Sequence, residues 1–176
     1  RRELCGITPS PPVVHTGVVG LGNSAGPELS KLIQLTRPDL VVSIGFAGAL
    51  LPSINSGDVI LCDSVRFGTD TQDPRLDLDL GPRHLITSLL AESGLKVRNG
   101  ALITVAYPII HAMDKHIHGS RTGAAAVEME GYSLAVAANR EHIPIVMLRA
   151  ILDPASRELP RVVARIIEDH GRNEWR

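Results

Sequence analysis

Apolar positions along the chain fall into two alternating spacings. Short runs rich in β-branched residues occupy positions 13–19, 40–44, 58–65, 101–105, 124–127 and 143–151. They are nearly continuous, the pattern of strands covered on both faces. Between them, apolar residues recur at helical intervals. Residues 24–36 follow a cap-like Asn23 and carry Leu29, Leu32, Ile33 and Leu35. Residues 82–93 open on a helix-compatible Pro and stop at Gly94, and residues 159–169 open near Pro160 and stop before Gly171. Residues 132–142, rich in Ala, Leu and Val, predict a helix buried on much of its circumference. Strands alternating with helices predict one layered α/β domain over residues 1–176, with ligands gathered at the carboxyl ends of the strands. The one long irregular stretch, residues 66–82, collects Gly, Asp, Thr and Pro, and its Asp77-Leu78-Asp79-Leu80 alternation reads as an exposed edge or loop.

Composition narrows the function. With 18 Lys and Arg against 19 Asp and Glu, the formal charge of −1 offers no general attraction for phosphate backbones, and 3% aromatic residues leave few platforms for unpaired bases. Nucleic acid is excluded as an expected partner. Polar residues break every apolar stretch before membrane-spanning length, and the start lacks the order of a signal peptide, so a cytoplasmic protein without an integral membrane segment is expected. Cys5 and Cys62 are far apart and unaccompanied, which predicts reduced thiols. The chain opens on Arg1-Arg2-Glu3 without an initiator Met, which reads as a processed, trimmed or incomplete start.

Four segments carry candidate chemistry. Gly20-Leu21-Gly22-Asn23-Ser24-Ala25 is a glycine turn entering a helix, where backbone approach and unpaired N–H groups suit a phosphate or carboxylate, or simply make a tight turn. The dinucleotide version of this turn needs an acid after the next strand; that strand instead ends Ile44-Gly45-Phe46-Ala47, which disfavours a nicotinamide-dependent oxidoreductase. Gly45-Phe46-Ala47-Gly48-Ala49 repeats the small-residue strand end, and by itself reads as a packed turn. Residues 124–131 end a strand on Glu128 and Glu130, which flank Met129 and share a side if extended; a strand-end carboxylate suits the hydroxyls of a sugar. Asp153 closes the most apolar strand, among Ile151, Leu152, Pro154 and Ala155, where poor solvation favours a carboxyl that holds its proton near neutrality, as a general acid must. Pairing with Arg149 or capping the next turn is the equal alternative. His111, His116 and His118 with Asp114 lack metal-ligand spacing and read as a solvated helix or loop face; no metal is expected.

Together the last two segments resemble the purine nucleoside phosphorylase and 5′-methylthioadenosine/S-adenosylhomocysteine nucleosidase superfamily. Residues 126–135, AVEMEGYSLA, are similar to its ribose-binding Met-Glu motif, and residues 149–155, RAILDPA, to its catalytic strand end. Residues 18–26 and 43–50 resemble its two glycine turns beside the phosphate or water site. The tail, from Arg149 and Asp153 through Leu159-Pro160 to Asp169-His170-Gly171, is most like the hopanoid-associated phosphorylases, which release adenine from an adenosyl-linked polycyclic lipid.

The resemblance implies a three-layer α/β/α domain with a mixed central sheet. It implies Asp153 as proton donor to the purine, Glu130 with Glu128 toward the ribose, and Met129 as the wall under the sugar. Gly20, Gly22, Asn23, Gly45 and Phe46 would lie on the nucleophile side, and Tyr107, Ile109 and Ile110 in the base pocket. No cofactor is implied, inorganic phosphate being the expected co-substrate of a phosphorolytic cleavage, and a homo-oligomer acting on a small purine nucleoside is expected. Hydrolysis, or a noncatalytic nucleoside-binding homologue, is the alternative. Against the family pattern, the first strand with its water-activating acid is absent, so the chain reads as N-terminally truncated relative to the family. Phe46 also replaces a polar residue, and Leu152 replaces Ser before the acid.

Overall fold

A computed structural model of the chain describes residues 12–78, 81–160 and 162–165. Cys5, Asp79, Leu80 and the family-like tail 169–171 lie outside them. A 3₁₀ turn over Gly22–Ser24 leads into helix α1, Ala25–Thr36, which stops where Arg37 turns left-handed before Pro38. Then follow β1 (Val41–Ala49), β2 (Val59–Phe67), β3 (Arg75–Asp77), α2 (Gly81–Glu92), β4 (Val97–Thr104), α3 (Ala112–Thr122), β5 (Ala126–Glu128), α4 (Gly131–Arg140) and β6 (Ile145–Asp153). Of the helix expected at 159–169, residues 162–165 are described, and they are helical.

The sheet is mixed, ordered β3-β2-β4-β5-β1-β6. β2 runs parallel to β4 along one edge and divides the other edge between two antiparallel partners: β6 at Val59–Leu61 and β3 at Ser64–Arg66. The β2–β6 pairing joins distant members of the order, so five strands form a closed ring. The main core lies between the sheet and helices α1 and α4, with Leu29, Ile33, Leu134 and Ala138 packed on Ile60, Leu102 and Met147. On a separate patch, Ile86 and Leu90 of α2 cover Leu61, Val146 and Leu148. Each patch removes a strand's side chains from water, which is what stabilises the sheet.

Three expectations change. Residues 13–19 form no strand: they have no ladder partner among the described residues, and Val13, Val14 and Val18 are exposed. A β-branched run is only a strand candidate, and it needs a paired neighbour to become one. β1 is not covered on both faces either, since Val42, Ile44 and Phe46 alternate outward along it. Its pairing with β5 involves only Gly48 and Ala49, which leaves the earlier part of that edge unpaired in the ladder. Finally, the irregular stretch contains β3, an exposed edge strand, held by Arg66 Nη1 donating to the carbonyls of Thr71 and Asp73 at 2.7 and 2.6 Å.

Two close approaches position the site. The ladder between β1 and β6 slips between Ala47 and Gly48, so that Ala47 faces Ile151 and Gly48 faces Asp153. The extra residue, Leu152, turns outward, and Asp153 turns back over β1. A Cβ on Gly48 would stand 3.0 Å from the Asp153 carboxylate, so glycine lets that carboxyl lie against the strand. On α3, a Cβ at Gly119 would meet the Leu50 carbonyl oxygen at 2.4 Å. The missing side chain seats α3 directly on the turn after β1.

Candidate active site

β5 ends against β1 in a two-residue antiparallel overlap, with Gly48 opposite Val127. This crossing brings the carboxyl ends of β1, β5 and β6 around one cavity of about 440 Å³. Asp153, Glu130, Glu128 and Met129 line it, with Gly20, Gly45, Phe46 and Ile109. Its walls are largely apolar, including Val105, Val127 and Leu159. Such a volume with a few convergent polar groups suits a small ligand.

The two glutamates do different work. Glu128 is buried, and its oxygens are already engaged: Oε1 accepts from Thr104 Oγ1 at 2.7 Å, and Oε2 from the Gly131 and Glu130 amides at 2.8 and 3.1 Å. Arg149 Nη2 donates to the same Oε2 at 3.2 Å, and both side chains are 3% exposed. Arg149 Nη1 also donates to the carbonyls of Ser43 and Leu148. Thr104 Oγ1 in turn accepts from the Tyr132 amide at 2.8 Å. This network fixes the first turn of α4 and the end of β5, so Glu128 serves as scaffold, where the sequence pattern placed it toward the ribose. The extended geometry expected to align the two carboxylates is interrupted at once, because Glu130 has left the strand conformation (φ −121°, ψ −31°) to begin α4.

Glu130 Oε1 accepts from the Gly22 amide at 2.8 Å, which binds the glycine turn to the opposite side of the cavity. The Gly20 amide likewise donates to Glu28. Both glycine N–H groups that were expected to face an incoming anion are therefore bonded to the protein's own carboxylates. Gly22 and Asn23 do not line the cavity. Burial, and then the neighbouring Glu128 carboxylate, push the Glu130 carboxyl above its ordinary value of 4.5, while the Gly22 amide and Arg149 pull it down less strongly. A raised folded-state value means that the stability linked to this group is fully present below the unfolded value and is lost as pH rises through the folded one. Glu130→Gln keeps the acceptor for Gly22 and removes the ionisation. The variant is expected to lack the wild type's decline above the ordinary glutamate range, which thermal unfolding between about pH 4 and pH 8 would show; parallel curves for the two proteins would refute it.

Asp153 does not pair with Arg149, which is committed to Glu128. Its partner is Lys115 of α3, whose ammonium donates to Oδ2. Lys115 is 0% exposed and also donates to the Arg157 carbonyl at 2.7 Å and the Pro154 carbonyl at 3.5 Å. The acid is thus ion-paired rather than surrounded only by apolar groups. Sequence reasoning missed Lys115 because a lysine among histidines reads as solvated. The available signal was Gly119, one turn along the same face, marking the side of α3 that sits against another backbone. His111 bonds Glu158 at the surface, and no cluster of three potential metal ligands occurs among the described residues. Tyr107 is 76% exposed and off the cavity, and Ile110 uses its carbonyl to accept from the Leu159 amide, so only Ile109 of the expected base pocket lines it.

The sequence profile of the phosphorylase superfamily matches residues 10–173. The chain belongs to the phosphorylase superfamily. Among this superfamily member's relatives, a 5′-methylthioadenosine/S-adenosylhomocysteine nucleosidase of Glaesserella parasuis is 28% identical over 158 residues, covering 79% of this chain and 67% of that protein. A nucleosidase of the same name from Staphylococcus aureus is 28% identical over 155 residues, with 79% and 68% covered. The chain spans about two-thirds of the length of these curated relatives. A solved Campylobacter jejuni nucleosidase of that name superposes with a TM-score of 0.72 at 19% identity, covering 88% of this chain and 73% of that one. A futalosine hydrolase mutant of Helicobacter pylori gives 0.72 at 17% identity, with 88% and 77% covered. The superfamily and the mixed α/β architecture read from the sequence both hold.

Proposed function

We propose that this protein cleaves the N-glycosidic bond of purine nucleosides with water as the nucleophile. Asp153 protonates the departing base, Glu130 accepts hydrogen bonds from the ribose hydroxyls and Met129 packs under the sugar. The observation that carries this reading is that Asp153 and Glu130, at the ends of different elements, open into one largely apolar cavity. Departure of a purine from C1′ builds positive charge on the sugar and negative charge on the base. A proton for the base and carboxylate contacts to the sugar therefore favour the transition state over the ground state.

Water is preferred over phosphate for two reasons. The relatives described above carry the name nucleosidase. The glycine-turn amides that the sequence offered to a phosphate are bonded to Glu28 and Glu130, so carboxylate charge stands where an anion's donors were expected. This replaces the phosphorolytic expectation. The adenosyl-lipid substrate implied by the tail has no counterpart among those names, and the reading is kept to purine nucleosides.

The test is to incubate the protein with adenosine-type nucleosides, with and without inorganic phosphate, and to follow free purine and the sugar product. Release at one rate in both conditions, with free ribose as co-product, is expected. Phosphate-dependent release of a sugar 1-phosphate would overturn the choice of nucleophile. Nucleoside binding without any release would favour a noncatalytic homologue.

A further inference from the structure

We infer that Lys115 is the positioning residue of Asp153 and the counter-charge that makes it an effective acid. This rests on the purine-cleavage reading above and adds to it the group that acts behind the acid. In this reading Lys115 acts through Asp153. It is fully buried, it enters from α3, and its ammonium is shared between the Asp153 carboxylate and the carbonyls of Pro154 and Arg157. One cation thereby ties the acid to the turn that follows it, and Gly48 leaves room for the carboxyl to lie against β1.

The charge flow explains why the cation matters to the chemistry. Asp153 takes up a proton from solvent on the oxygen that Lys115 does not hold; as the C1′–N9 bond breaks, its electron pair moves onto the purine and that proton passes to a ring nitrogen. Water adds to C1′ and releases its own proton to solvent. The protein is left with a new carboxylate in a cavity that offers little hydration. An ammonium already in contact with the other carboxyl oxygen stabilises the negative charge as it returns, and it needs no reorganisation to do so. The other charged groups lining the cavity cannot serve: Arg149 is spent on Glu128, and Glu128 and Glu130 are of the wrong sign.

The test compares Lys115→Met, Asp153→Asn and the double variant on an adenosine-type nucleoside and on 4-nitrophenyl riboside, whose leaving group needs no proton. Lys115→Met should lower kcat on the nucleoside at least about tenfold with KM within about threefold, as expected of a group acting only in the transition state. It should leave nitrophenyl riboside turnover nearly intact, and it should cause no further loss when Asp153 is already Asn. Equal losses on both substrates, or additive losses in the double variant, would reduce Lys115 to a structural staple and overturn the inference. If the Met variant does not fold, Lys115→Gln, which keeps a donor for the Arg157 carbonyl, is read by the same criteria. A wild-type protein that cleaves neither substrate defeats the functional reading and this inference with it. A normal Asp153→Asn loss beside an unaffected Lys115→Met defeats only the inference.

Discussion

Asparagine in place of Asp153 is expected to slow adenine release from adenosine-type nucleosides by about 10²–10⁴-fold, the usual contribution of a positioned general acid. The substitution preserves shape and leaves an oxygen to accept from Lys115, so the loss should fall on kcat while KM stays within about threefold. The expectation follows from position as much as from chemistry. The slip in the β1–β6 ladder turns Asp153 back over β1, and the same slip sends Leu152 outward. Steady-state assays with purine release as the readout decide the matter, and unchanged turnover removes Asp153 from the mechanism.

The largest effect on stability is expected at Arg149. Arg149→Met removes one member of a buried pair and leaves Glu128 without its counter-charge, a change that typically costs about 3–5 kcal/mol. Thr104 and two backbone amides still donate to Glu128, which keeps the loss toward the lower end of that range. For a domain of this size each kcal/mol moves the midpoint by about 2–4 °C, so thermal unfolding should begin on the order of 10 °C lower. The paired change Arg149→Met with Glu128→Gln should recover much of the difference, because the stranded charge is then gone. A midpoint within about 2 °C of the wild type in the single variant would show that the pair contributes little.

Local signals located most of the framework. Helix α1 and the strands β2 and β6 lie within a few residues of where spacing and turn residues put them, because their apolar positions, caps and glycines act over one or two turns of chain. The carboxylates at 130 and 153 were visible as strand-end acids. Their shared cavity was not, since it depends on an antiparallel overlap of only two residues between β1 and β5. Residues 13–19 show the opposite error. Their β-branched run is a true local preference, but among the described residues no strand beside them supplies hydrogen bonds. The burial of Lys115 and the true partner of Arg149 escaped for a shared reason. Whether a long cation is buried is decided by the acid it meets, and those acids are contributed by other elements.

The division of the β2 edge between β3 and β6 also bears on how the chain reaches this shape. Val59–Leu61 waits for Leu148–Ala150, a partner synthesised after the other described strands, so the loop to be closed spans about half of the chain. Contacts of such long sequence separation slow folding, because the entropy of closure is lost before the contact is made. Until β6 arrives, a nascent chain carries two bare strand edges, one on β1 and one on β2. Intermediates that end before Ile145 should therefore be the ones that aggregate, and dependence on chaperones should fall off once β6 has left the ribosome.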